Sequence, residues 1–192
     1  MAVKISRNTF ATENSPSLSS YAAIVGKLEG EGPLGRYFDE TEQDSYFGQK
    51  TWEQGESELQ RRTLAKAMEK GGLSAESIDF MFAGDLLNQC IGSTFGLKDF
   101  SIPIFGIYGA CSTMSEGIAL ASLMSDSGLG KHIAAVTSSH FCSAERQFRF
   151  PLSYGCVRTP TAQWTCTASG AVIVSDTKQP PFVKGCTVGK IV

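Results

Sequence analysis

The feature that most narrows what this chain can fold into is the run Ile102 to Ala121, Ile-Pro-Ile-Phe-Gly-Ile-Tyr-Gly-Ala-Cys-Ser-Thr-Met-Ser-Glu-Gly-Ile-Ala-Leu-Ala. Its apolar first half is too short for anything but a strand, and its second half repeats small and apolar residues at helical spacing through Ala110, Met114, Ile118 and Ala121. A buried strand that turns at once into a buried helix is expected, with Gly106, Gly109 and Gly117 permitting close backbone approach. Cys111 falls at the turn. There the unpaired N–H groups of a first helical turn favour a thiolate and offer donors to an anion or a developing oxyanion. The same position also suits a small hydrophobic cysteine that fills space.

The flanking sequence repeats the strand and helix alternation. Tyr21 to Lys27 reads as a strand, and Glu29 to Gln49 as a long connection whose aromatics Tyr37, Phe38, Tyr46 and Phe47 pack down on the body. Trp52 to Lys70 is an amphipathic helix stopped by Gly71-Gly72. Ile78 to Ala83 is a near-continuous apolar run, the mark of a strand buried on both faces. Ile133 to Thr137 and Thr167 to Val174 are further strands, Phe141 to Thr165 is a polar excursion, and Phe182 to Val192 is a final strand. The alternation predicts an α/β fold with a mostly parallel sheet covered on both faces. Ligands bind such sheets beyond the carboxyl ends of the strands, where Asp85, Cys111 and the segment Ser138 to His140 all fall.

Composition excludes several function classes. With a net charge of −2 the chain has no basic field for nucleic acid. No apolar run is long enough to span a bilayer, and the first residues carry no signal-peptide core, so cytoplasmic residence is expected, with peripheral membrane attachment left open. Six cysteines at wide intervals, without a C-x-x-C pair, and two histidines out of ligand spacing argue against a metal site and for reduced thiols.

Gly109-Ala-Cys-Ser-Thr113, Phe82-Ala-Gly-Asp85 and Ala168-Ser-Gly-Ala-Val-Ile-Val174 resemble the amino-terminal half of thiolase-fold proteins such as the ketoacyl synthase III enzymes. Gly32 to Gly35, Phe82 to Gln89, Phe105 to Ser115, Thr137 to His140 and Ala144 to Arg149 make the chain similar to a narrower group, the stage V sporulation protein AD family of endospore-forming bacteria. The resemblance implies a duplicated fold in which residues 1–192 form a single half, a five-stranded sheet between helix layers, with the carboxyl-terminal half missing or truncated. It implies a non-enzymatic sporulation protein that binds dipicolinic acid, pyridine-2,6-dicarboxylate, for uptake into the spore or release at germination. It further implies a place on the cytoplasmic side of the spore inner membrane, held there by other proteins of the same operon. No cofactor is expected, Ca²⁺ entering only as part of the ligand chelate. An isolated half is expected to expose apolar surface and to form a homodimer.

The resemblance puts the ligand near Cys111 and Asp85. Backbone N–H groups at Cys111 and Ser112 suit one carboxylate of the ligand, and Arg146 and Arg149 either clamp a carboxylate or are solvated and paired elsewhere. Asp85 repels a bare dianion. Its place fits an accompanying Ca²⁺ or protonated ring nitrogen, or simple capping of the next helix. Ser139 and His140 are further candidate ligand contacts, His140 otherwise shuttling a proton or holding a loop carbonyl. The alternative activity is a condensing-enzyme-like acyl transfer with Cys111 as nucleophile. That chemistry needs an activating His and Asn, which such enzymes draw from their second half.

Overall fold

The computed structural model describes residues 1–148, 161 and 165–190, with the backbone alone for 146–148. In chain order its strands are β1 (Val3–Lys4), β2 (Thr9–Ala11), β3 (Ser17–Gly26), β4 (Glu40–Glu42), β5 (Phe80–Gly84), β6 (Ile104–Gly106), β7 (His132–Ser139), β8 (Ala168–Ser175) and β9 (Gly185–Thr187). The helices are α1 (Lys27–Gly30), α2 (Trp52–Gly71), α3 (Ile91–Leu97), α4 (Thr113–Asp126) and α5 (Phe141–Phe148).

Helix α2 forms where the periodicity predicts it. Thr51 caps its start by accepting from the Gln54 N–H, and Gly72 ends it in the left-handed region at φ 62°. Its apolar face lays Leu64, Ala67 and Met68 on one side of the main sheet, against Ala22, Met81, Ala134, Val136 and Ile173. Helix α4 covers the other side, where Ala121 meets Phe82, Ile133 and Val174. A Cβ at Gly117 would sit 3.1 Å from that of Ala135, so this glycine sets how closely α4 approaches β7.

The main sheet is mostly parallel as expected, but it has six strands where five were expected, and one of them runs against the rest. Their order is β4-β3-β8-β7-β5-β6. β5 runs parallel to β6 and β7, and β3 runs parallel to β4, but β8 is antiparallel to both of its neighbours, so the sheet is mixed. Period-2 patterning is the same for either strand direction, so the residues of β8 carried no sign of it. The extra strand, β4, comes from within the long 29–49 connection, and β9 leaves the main sheet to pair with β2 in a separate three-stranded ribbon. β6 is not buried as predicted. It forms the edge, with Ile104 and Phe105 about half exposed and the Phe105 ring stacked on Phe82 at 5.1 Å.

The predicted polar excursion begins with α5, which the sequence reading missed because its N-terminal partners are unusual or distant. Phe141 N–H donates to Thr167 Oγ1, and Cys142 N–H donates to the ring of His140. Neither carries the local Ser, Thr, Asp or Asn signal of a cap. The rest of the excursion lies largely outside the described residues.

Candidate functional site

The parallel strands β5, β6 and β7 end on one edge of the sheet, and their continuations build the site. After β6 the chain reaches a corner in which Ala110 takes φ 47°, a conformation rare for a residue with a Cβ. Thr113 ties the corner: its hydroxyl accepts from the Gly109 N–H at 3.1 Å and donates to the Ala110 carbonyl at 2.8 Å. Cys111 is thereby held in a short 3-10 turn ahead of α4, with its side chain exposed. The backbone of β5 must also pass close by, since a Cβ on Gly84 would fall 2.2 Å from the Ile107 carbonyl oxygen.

Cys111 opens on a cleft of about 650 Å³ whose walls include Met114, Thr137, Ser139, Cys166 and Gly170. That size suits a small organic ligand. Ser139 Oγ donates to the Cys166 carbonyl at 2.7 Å and lies 3.5 Å from the Cys166 sulfur, so a second thiol shares the cleft with Cys111. The sequence reading placed no weight on Cys166. Only the pairing of β7 with β8 brings it here.

The other predicted residues part company with this cleft. Ser112 gives both its N–H and its hydroxyl to the Gly109 carbonyl, so its N–H is spent within the turn rather than offered to an anion. Asp85 is buried. One carboxylate oxygen accepts from the Leu87 N–H at 2.9 Å, and the other accepts from the Ser93 N–H and hydroxyl at 2.7 and 2.6 Å, which fastens the turn leading into α3. Gln60 extends this arrangement by donating to Ser93 Oγ and to the Gly84 carbonyl. His140 is buried and lines a neighbouring hollow with Glu29 and Cys142. Its Nε2 donates to the Ser45 carbonyl at 2.6 Å and its Nδ1 accepts from Cys142 N–H, which fixes a neutral ring, and burial pushes its pKa down in the same sense. Arg149 and the side chain of Arg146 lie outside the described residues.

Sequence reasoning also missed Glu56. It stands on the buried face of α2 and is fully shielded from solvent, with Oε1 accepting from Ser138 Oγ at 3.0 Å and Oε2 from Ser143 Oγ at 2.6 Å. Loss of hydration pushes its pKa up to about 7, and the charge of Asp85 adds to the rise against the two hydroxyl donors. A charged residue in register with Leu59, Thr63 and Ala67 on an apolar stripe was the available signal.

The family model described as Stage V sporulation protein AD (SpoVAD) matches residues 6–192. The chain belongs to this sporulation family. It is 39% identical over 185 residues to the Stage V sporulation protein AD of Bacillus subtilis strain 168, which covers 96% of this chain and 55% of that protein. The chain therefore spans about half the length of its curated relative. Among solved structures it is similar to 3-oxoacyl-[acyl-carrier-protein] synthase III from Aquifex aeolicus, with TM-score 0.56 and 15% identity over 85% of this chain and 55% of that one. A Xanthomonas campestris OleA variant gives TM-score 0.55 and 13% identity over 84% and 56%. These two likenesses establish a thiolase-like α/β fold. In this family member, then, the exposed corner cysteine and its cleft lie at the edge of a thiolase-like sheet, and His140 is turned to the neighbouring hollow. Among the described residues no helix is long and apolar enough to cross a membrane.

Proposed function

We infer that this sporulation-family chain supplies one half of a non-catalytic binding site for dipicolinic acid, free or as its calcium chelate, with the ligand seated in the Cys111 cleft. The observation that carries the reading is the cleft of about 650 Å³ onto which Cys111 opens, to which His140 contributes no base. Both ring nitrogens of His140 are committed to backbone partners, on the side of the neighbouring hollow, so it is not poised to take a proton from Cys111. The cleft instead offers the side chain of Thr137, the oxygen of Ser139 as an acceptor, its proton being given to the Cys166 carbonyl, and small residues that leave room for a flat ring. Ca²⁺ enters with the ligand, and docking to membrane-bound partners on the cytoplasmic side of the spore inner membrane completes the proposed role. The half-exposed Ile104 and Phe105 of edge strand β6 support a homodimer, to be checked by sedimentation.

Titration calorimetry of the full-length protein with dipicolinate, with and without Ca²⁺, tests the reading against isophthalate, which has the same two carboxylates and no ring nitrogen. Saturable binding of dipicolinate with weaker isophthalate binding is expected. A folded protein that binds neither rules it out. The exposed Cys111 sulfur at a strained corner favours one second reading, acyl transfer. An acyl adduct on Cys111 after incubation with acyl-CoA thioesters, seen in the intact mass, would establish it.

A further inference from the structure

Glu56 joins two elements that border the cleft. Ser138 belongs to β7 and lines the cleft wall, while its hydroxyl is turned to Glu56 on the α2 face of the sheet. Ser143 lies in the first turn of α5. One carboxyl group thus ties the cleft wall to the helix that follows it. Ser143 Oγ also lies 3.1 Å from the His140 carbonyl oxygen. This second acceptor lets the carboxyl change protonation without stranding a polar atom. Ionised, Glu56 accepts both hydroxyl protons. Protonated on Oε2, it donates to Ser143 Oγ, whose own proton turns to the His140 carbonyl, and Ser138 still donates to Oε1.

Of the groups facing Glu56, the neighbouring acids favour its neutral form, while the two serine hydroxyls favour the ionised one and can still serve either. Asp85 at the end of β5 and Glu53 on the same helix are both negative, and burial adds to their effect. β7 presents the Ser138 hydroxyl and α5 that of Ser143, while Glu145 of α5 accepts from Thr165. His140 is neutral, and Glu56 makes no ion pair among the described residues. A further negative charge on the cleft side of β7 would act across a single strand.

We propose that Glu56 is a proton-exchanging positioning residue of the cleft, which takes up one proton from solvent when an anion is seated against the Ser138 wall. The inference rests on the reading of the cleft as an anion site. A like charge one strand away, in an effective dielectric of about 20, raises the proton affinity of the carboxyl by roughly tenfold. By linkage, protonation of Glu56 tightens anion binding by the same factor. Dipicolinate is the probe, since its own carboxyls titrate well below neutral pH.

Calorimetry is run on the full-length protein from pH 6.5 to 8.5, in two buffers of different ionisation enthalpy. The wild type is expected to bind roughly fivefold more weakly at the upper pH and to take up protons on binding. Glu56→Gln, which can still accept from Ser138 and donate to Ser143, is expected to lose this pH dependence. Carbon NMR of the Glu56 carboxyl in the unmodified protein provides a check that needs no substitution, and its titration midpoint should rise when dipicolinate is added. Binding without proton uptake, an unmoved midpoint, or the same pH slope in the Gln variant overturns the coupling alone. No binding at any pH overturns the anion reading and the coupling with it.

Discussion

Replacing Glu56 by Gln also tests how the fold tolerates a buried acid when no ligand is present. In the folded protein the carboxyl titrates at about 7, against an ordinary value of 4.5. The native state therefore holds this proton more tightly than the unfolded chain between those two pH values. Stability contributed by the group is fully present below pH 4.5, falls as pH rises, and levels off above 7. Each pH unit of that window is worth about 1.4 kcal/mol, so ionisation costs the wild type about 3 kcal/mol between pH 4.5 and 8. Gln is neutral throughout and escapes the loss. Urea unfolding of both proteins at intervals from pH 4.5 to 8 should show the variant gaining on the wild type by about 3 kcal/mol, or roughly 6–12 °C in Tm for a chain of this length. His140, whose lowered pKa acts in the opposite direction over part of this range, is common to both proteins and cancels in the difference. Parallel stability curves would refute the argument, because they would mean that Glu56 stays hydrated or gains a cation in solution.

Other substitutions probe the scaffold around the cleft. Thr113→Val removes a buried hydroxyl that ties the Gly109 N–H to the Ala110 carbonyl, and should cost about 1–3 kcal/mol in urea unfolding and speed labelling of Cys111 by a thiol reagent. Unchanged labelling would show that the corner is rigid without it. His140→Ala releases the Ser45 carbonyl and the start of α5 together. Limited proteolysis should then cut faster around residues 43–49, whereas an unaltered digestion pattern would mean that Phe47 alone anchors the connection. Asp85→Asn weakens three hydrogen bonds to Leu87 and Ser93 and is expected to lower stability by about 1.5–3 kcal/mol, measured by thermal melting. Leu64→Ala opens a cavity between α2 and the sheet and should cost about 2–5 kcal/mol, measured by urea unfolding.

Elements that rest on local pattern were legible in the residues. Helix α2 declared itself through Leu59, Leu64, Ala67 and Met68 and through the Gly71-Gly72 stop, because burial of one helical face is written at a fixed spacing along the chain. β5 did so through its unbroken apolar run, and the Cys111 corner through a short strand that meets a small-residue helix. Burial of β6 was misjudged for a related reason. Its apolar residues signal affinity for a neighbour, and nothing in Ile104 to Gly106 says which neighbour that is.

The amino-acid order by itself determined that helices and strands alternate, which faces are apolar, and that a cysteine follows a strand end beside a helix. Tertiary structure alone decided that β8 runs antiparallel, which of the open roles Asp85 and His140 take and with which partners, Ser93 and Leu87 for the one and Ser45 across 95 positions for the other, and that Glu56 meets Ser138 and Ser143 across 82 and 87. The division has a physical cause. Apolar burial is non-directional and repeats with the backbone period, so a few residues reveal it, whereas a buried polar group is defined by one specific partner whose position only the folded chain supplies.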